Sequence, residues 1–333
     1  MASVESRIKS RAKSRAKRKI KNQVRKSPII ILILIILAIA AVLVVHNSEK
    51  WFGFSFFEDK QTLESVPAPS DGEILFHFID VGQGDAILIT TKSGNMLIDT
   101  STGKEQEKLV SYLERANIKE LKYLVLTHTD EDHIGNADHV IENYEVEHVM
   151  LPDFAATTKT YERMIDAIDK KNVDLILIGT DEDCEKAGYS FRLGSLVCTV
   201  LSPMEEYDDP NDTSIVIKAE YGSTSFMLTG DAEVAPESDM VAAWDKAALK
   251  CDVLKIGHHG ARNATTQEFL DAVNPRIAVI SCGEGNKYGH PTAEVLERLE
   301  AAGITVYRTD KDGTIVLKTD GKTVTFVPLD KAE

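Results

Sequence analysis

The sequence predicts an α/β protein, a four-layer αββα sandwich preceded by a single transmembrane helix at its N-terminus. Three observations lead there. Strand-length apolar runs alternate with helix-length segments in two successive halves. The residues that carry chemistry gather where those strands run out. One uninterrupted apolar run lies well ahead of both halves, behind a basic tail. A chain of 333 residues with 43% hydrophobic content can bury a large core, and one α/β domain of about 250 residues is ordinary.

The charges divide the chain. Residues 1–26 hold 11 Lys and Arg against Glu5 alone, a balance of +10, while the remaining 27 basic and 52 acidic residues give −25, and the two sum to the net −15. Between them Ile29–Val45 runs for 17 residues without a polar side chain. As a helix it reaches about 25 Å, enough to span a bilayer core with slight thinning or snorkelling. The run is apolar on every face, which disfavours a core helix. Ala38-Ile-Ala40 has the small-x-small form of a cleavage site but lies inside the run, so a retained anchor is expected rather than a cleaved signal. Trp51–Phe57 suits an interfacial aromatic belt, and the basic side faces the cytoplasm by the positive-inside rule. The Arg-x-Lys spacing of the tail, without aromatic residues, fits orientation and anionic lipid better than nucleic acid. The expected divisions are a basic cytoplasmic segment 1–27, an anchor 28–46, a linker 47–72 with spaced prolines, and a folded domain 73–333 outside the cell.

Within that domain Glu73–Asp80, Ala86–Thr90 and Asn95–Asp99 read as three strands joined by Gly-rich turns, a meander. The pattern turns helical from Lys104 through Arg115, and strand and helix alternate to Gly179. The scheme then repeats, with strands near Ser190, at Leu196–Leu201, Ser214–Glu220 and Thr224–Thr229, and helices at Met240–Ala248, Thr266–Val273 and Thr292–Ala302. Two such halves pack sheet against sheet with helices outside, and the strand ends collect along one edge. None of Cys184, Cys198, Cys251 and Cys282 forms a C-x-x-C pair, which argues against a structural zinc knot; an even number in an oxidising location permits disulfides, whereas the apolar strands around Cys198 and Cys251 suit buried free thiols, and no bridge is assigned.

The densest chemistry is His128–His133, which follows the strand Leu121–Leu126 and packs two imidazoles and three carboxylates into six residues. As a solvated helix cap the cluster would need no cation. A turn opening a helix can instead converge His128 and Asp130 on one point and Asp132 and His133 on another, as a two-metal site requires. Asp231 ends Ser225–Gly230, and His258-His259 ends Cys251–Gly257, so three strand-end clusters supply ligands.

This pattern resembles the metallo-β-lactamase fold. Asp99 matches its first motif, His128–His133 its H-x-H-x-D-H motif, Asp231 its bridging carboxylate and His258-His259 its last histidine. Phe78–Ala86, Leu228–Glu233, His258–Gly260, Tyr288–Pro291 and Arg308–Thr314 further resemble the extracellular hydrolase domain of ComEC-type competence proteins, over about Leu75 to Val327. Two departures matter. Asp130 replaces the second histidine, and a hard oxygen ligand there leaves the metal open between manganese, magnesium and zinc. The third-motif histidine is absent, since only His139 and His148 lie between His133 and Asp231; Asn211 and Ser214 stand in its place, as in the ComEC-like group.

The resemblance implies a dinuclear zinc- or manganese-dependent hydrolase of phosphodiesters, DNA being the leading substrate, with phosphocholine esters the variant within related proteins. His128 and Asp130 would hold one metal, Asp132, His133 and either His258 or His259 the other, and Asp231 would bridge. Asp132, His258 and His290 are the expected catalytic residues, with His290 contacting a phosphoryl oxygen or protonating the leaving group. Asp80, Gln83, Asp85 and Asp99 are expected to brace the ligand histidines. A balance of −25 opposes a long polyanion within a Debye length of about 8 Å, but Lys255, Arg262, Lys287 and Arg308 near the motif loops could form a positive pocket. A lactone or lactam hydrolase and a non-catalytic metal-binding module are the competing classes. No protein partner is identifiable.

Overall fold

The computed structural model describes residues 66–329; the basic segment, the expected anchor and the linker up to residue 65 lie outside the described residues. Among the described residues no helix is long and apolar enough to cross a membrane. The first half runs β1 (Ile74–Phe78), β2 (Ile87–Thr91), β3 (Gly94–Ile98), α1 (Gln106–Arg115), β4 (Glu120–Val125), α2 (Glu131–Ile134), α3 (Ala137–Asn143), β5 (Glu145–Pro152), α4 (Lys159–Lys171) and β6 (Asp174–Ile178). The second half holds β7 (Ser190–Leu193), β8 (Leu196–Ser202), β9 (Val216–Tyr221), β10 (Thr224–Leu228), α5 (Val234–Ala243), α6 (Lys246–Leu249), β11 (Val253–Lys255), α7 (Gln267–Val273), β12 (Ile277–Ile280), α8 (Ala293–Ala301) and β13 (Thr305–Arg308). The short helix α9 (Thr309–Asp312) leads to β14 (Ile315–Thr319) and β15 (Val324–Val327), which return to the first sheet.

Eight strands in the order β15-β14-β1-β2-β3-β4-β5-β6 face seven in the order β13-β12-β11-β10-β9-β8-β7. Three apolar layers follow from this arrangement. Phe76, Ile89, Val125, Ile217, Phe226 and Val279 fill the space between the sheets, where Phe76 and Phe226 stack with ring centroids 3.7 Å apart. Leu109, Leu113, Val140 and Met164 bring helices onto the outside of the first sheet, and Met240, Phe269, Val273 and Leu299 do so for the second. The predicted αββα sandwich is thereby present. Each such side chain contributes about 1.5–3 kcal/mol on burial.

The topology also fixes where chemistry can occur. In each sheet an antiparallel meander gives way to parallel pairing, β3 with β4 and β5 in one, β10 with β11 and β12 in the other. Parallel neighbours end on the same side, so the loops after β3, β4, β10, β11 and β12 open along one edge of the sandwich.

The sequence expectation for one helix at Met240–Ala248 is corrected to two, α5 and α6. Trp244 is extended between them (φ −95°, ψ 143°) because its indole Nε1 donates to the Leu201 carbonyl, and Asp245 then caps a new helix by accepting from Ala248 N at 2.8 Å.

One buried residue away from this edge sets an acid limit. His77 in β1 is fully buried, with Nδ1 2.9 Å from Tyr112 Oη and Nε2 3.1 Å from Thr90 Oγ1. Burial pushes its imidazole down from 6.5 to about 3. A depressed folded value means that its stabilisation is complete above pH 6.5 and is lost as pH falls, by about 2 kcal/mol at pH 5. Urea midpoints measured from pH 7 to 5 are expected to fall with this slope in the wild type and to flatten in His77→Gln; parallel slopes in the two proteins would contradict the assignment.

Candidate metal centre

Every expected site residue except His290 leaves a strand end or the turn beside one. Thr127 leaves β4 with its backbone N and Oγ1 donating to the two Asp99 oxygens, at 2.8 and 2.7 Å. The same carboxylate accepts from His133 Nδ1 at 2.7 Å, so Asp99 takes the orienting position expected of it and turns His133 Nε2 away from itself. His259 Nδ1 donates to the Ser281 carbonyl at 2.9 Å, which leaves its Nε2 lone pair free. His128 Nδ1 lies 3.2 Å from Thr127 Oγ1 and 3.5 Å from Ser214 Oγ, and Ser214 Oγ also accepts from Asp231 N at 3.0 Å. Asp99, His258 and His259 all carry left-handed φ, at 60°, 43° and 54°. Strain of that kind persists only where surrounding contacts over-determine it. Gly84, at φ 128°, lets the turn after β1 press onto Asp132, whose carbonyl a Cβ would meet at 2.5 Å.

Among the described residues three groups of ligand atoms result, each within 4.8 Å: His128, His133 and Asp231; Asp132, His133 and His259; and Asp85, Asp99 and His133. Asp231 Oδ2 stands 3.3 Å from His133 Nε2 and 3.4 Å from His259 Nε2, and Asp132 Oδ2 stands 3.3 Å from His259 Nε2. Nε2 of His128, His133 and His259 and Oδ1 of Asp231 are buried without a hydrogen-bond partner. Unpaired lone pairs at such depth are costly. For metal–nitrogen bonds of about 2.0–2.1 Å the edge of a tetrahedron is about 3.3 Å, so the spacing and the donor set fit a bound cation. Burial would raise the Asp231 carboxyl, but His259, His133 and Lys255 hold it well below the ordinary carboxylate range. Burial would likewise push His133 down, yet the Asp231 and Asp99 carboxylates hold it well above its ordinary value, and a proton therefore competes with metal for this nitrogen.

The grouping differs from the expected division of ligands. His128 associates with His133 and Asp231, whereas Asp130 joins none of the three groups and its carboxyl is raised by burial and by the Asp132 charge beside it. The open choice between the tandem histidines also divides: His259 is buried and aims into the cluster, while half-buried His258 pairs through Nδ1 with Glu233 Oε1 at 2.6 Å and keeps Nε2 3.8 Å from Asp231. His290 stands further out, its ring 5.4 Å from that of His258.

The expected positive pocket is corrected. Lys255 is fully buried, its Nζ 2.5 Å from Asp85 Oδ2, 2.9 Å from the Gly230 carbonyl and 3.7 Å from Asp231 Oδ1. Arg262 pairs with Glu294, and Arg308 with Asp310. Asp85 therefore neutralises an internal cation, and its other oxygen lies 3.5 Å from His259 Nδ1, while Asp80 Oδ1 accepts from Gly82 N and Gln83 Oε1 from Gly283 N. The sequence reading missed Lys255 as a structural cation, although a lysine inside an apolar strand was itself the signal that a buried carboxylate must face it. Glu233 and Ser281, which orient the tandem histidines, were also missed.

A family model described as the metallo-beta-lactamase superfamily matches residues 79–284. The chain belongs to the metallo-beta-lactamase superfamily. Among curated proteins it is similar to ComE operon protein 3 of Bacillus subtilis (strain 168), 34% identical over 278 residues, which cover 77% of this chain and 34% of that one. It is also similar to competence protein ComA of Neisseria gonorrhoeae, 30% identical over 256 residues, 76% of this chain and 33% of that one. Both are ComEC-type competence proteins, and the chain spans about one third of their length. Among solved structures it resembles a diphosphatase from the PhnP family, 14% identical, covering 74% of this chain and 97% of that one with a TM-score of 0.43, a likeness too remote to carry chemistry.

Asp99 offers a direct check on the orienting contacts of this superfamily site. An amide in Asp99→Asn cannot accept from Thr127 N, Thr127 Oγ1 and His133 Nδ1 together. Manganese affinity by calorimetric titration is expected to fall about 10- to 100-fold; unchanged affinity would show that Asp99 does not position His133.

Proposed function

We propose that this superfamily hydrolase is a dinuclear, metal-dependent phosphodiesterase of ComEC-like type, anchored in the cell membrane and working outside the cytoplasm. The observation that carries the metal chemistry is the set of three buried, partnerless imidazole nitrogens around Asp231. Zinc or manganese would be held by His128, Asp132, His133, Asp231 and His259, with His258 and Asp130 at the margin. When bound, the metal would supply a water acidified toward a pKa of about 7 and would neutralise charge developing on substrate oxygens. Asp99 and Ser281 keep the ligand imidazoles in one orientation. Glu233 keeps His258 in the tautomer that turns Nε2 toward Asp231, and Asp132 holds a negative charge beside His259. His290, with Nδ1 unpaired, protonates the departing oxygen.

A phosphodiester is favoured over a lactam or lactone by a carboxylate, Asp130, where the motif has its second histidine, by Ser214 in place of a third-motif histidine, and by the ComEC-type relatives. DNA is the leading substrate in this reading. Residues 1–27 lie in the cytoplasm, 28–46 cross the bilayer, 47–65 space the domain from it, and the extracellular hydrolase domain begins at Val66, which is buried in its core, rather than at 73 as expected. The test is hydrolysis of bis-p-nitrophenyl phosphate by the full chain with manganese or zinc, abolished by chelation and restored by metal. Metal-bound protein that cleaves lactams or lactones but no phosphodiester would remove the proposal.

A further inference from the structure

The open edge is electrically lopsided. Beyond β5, β6 and β8 a cavity of about 270 Å³ is lined by Asp153, Asp181, Glu205 and Glu206, which repel a phosphate chain. On the opposite side, the loop between β12 and α8 carries Lys287, Tyr288 and His290. Tyr288 is the most exposed of the large apolar side chains among the described residues, at 56%. Its loop is nevertheless firmly built: Asn286 Oδ1 accepts from the backbone N of Tyr288 and His290, at 3.2 and 3.0 Å, and Asn286 Nδ2 donates to the carbonyls of Gly283 and His290, at 3.0 and 2.5 Å. One asparagine thus holds an aromatic ring in place without burying it. Tyr288 stacks on His290 with centroids 5.8 Å apart, and His290 lies 5.4 Å from His258, so two ring-to-ring steps connect the exposed tyrosine to the centre.

Lys287 completes the arrangement. Among the described residues no carboxylate pairs with it, and its Nζ sits 4.9 Å from the Tyr288 ring centroid. An aromatic face beside a free ammonium suits an unpaired base joined to a phosphate, because bases stack on aromatic rings while the cation meets the backbone. A quaternary ammonium headgroup is disfavoured, since Lys287 already supplies the cation over that ring.

Resting on the phosphodiesterase reading, we infer that Tyr288 and Lys287 form a nucleotide subsite beside the scissile bond, with Tyr288 stacking on one unpaired base and Lys287 binding its phosphate. The full chain is assayed with manganese on dithymidine phosphate and on the two analogues lacking one thymine. In the wild type, loss of one particular thymine is expected to raise KM about tenfold. Tyr288→Ala removes that discrimination by raising KM for the two substrates that keep the stacked thymine and not for the one that lacks it, Tyr288→Trp preserves it, and Lys287→Gln raises KM for all three substrates. Equal discrimination by wild type and Tyr288→Ala, with wild-type turnover intact, overturns the subsite alone. A larger Tyr288→Ala effect on a p-nitrophenyl phosphocholine ester also overturns it. A metal-loaded wild type that cleaves no phosphodiester overturns both the subsite and the activity on which it rests.

Discussion

Asp231→Asn is expected to abolish turnover and to weaken divalent-metal binding by more than about 100-fold, beyond the loss typical of residues that only orient ligands. Among the described residues the Asp231 carboxylate is the one carboxylate within 4 Å of His133, His258 and His259 together, and its second oxygen is buried without a partner. An asparagine would halve the available oxygens and aim N–H donors at imidazole lone pairs. The fold should survive, because Asp231 N still donates to Ser214 Oγ and the Gly230 carbonyl still receives Lys255. Calorimetric titration with manganese, alongside circular dichroism and an ester assay, checks all three expectations. Wild-type affinity or turnover in a folded variant would refute the role given to Asp231.

The second large effect concerns stability. Lys255→Met should destabilise the metal-loaded domain by about 3–5 kcal/mol, because it strands Asp85 as a buried carboxylate. Burial alone would lower the Lys255 ammonium, yet Asp85 and Asp231 hold it above its ordinary value. The contact is ionic more than directional: Asp85 lies 2.5 Å from Nζ, but neither of its oxygens receives a well-aligned hydrogen bond. For a domain of this size such a loss lowers the melting temperature by about 10 °C. Adding Asp85→Asn should recover more than half of it, since the uncompensated charge is then gone. Additive losses in the double variant would contradict a buried pair.

The meander and the strand-end positions of Asp99, His128, Asp231 and His258-His259 were legible because each strand is a short apolar run, closed by Gly or Asp in three cases and by Thr127 before His128, and parallel order sends such ends to one edge. What was not legible depended on distant partners. Nothing local distinguishes His258 from His259; the choice is made by Glu233 on one and by the Ser281 carbonyl on the other. Asp130 read as a ligand by its place in a motif, but its backbone at φ −76°, ψ 150° sets it ahead of the turn that carries Asp132 and His133 inward. The basic residues near the motif loops read as a positive pocket because sequence shows charges without their partners. Asp85, Glu294 and Asp310 become visible only once the chain has folded, and they leave Lys287 as the basic residue of that set without a carboxylate partner among the described residues. The return of β14 to pair with β1 was likewise missed, since it joins residues about 240 positions apart.

Anomalous diffraction from crystals of the protein saturated with manganese tests the central claim most directly. The account predicts two ions flanking the Asp231 carboxylate, within reach of His128, His133, His259 and Asp132. A well-ordered, metal-saturated crystal with no anomalous peak beside Asp231 would contradict it.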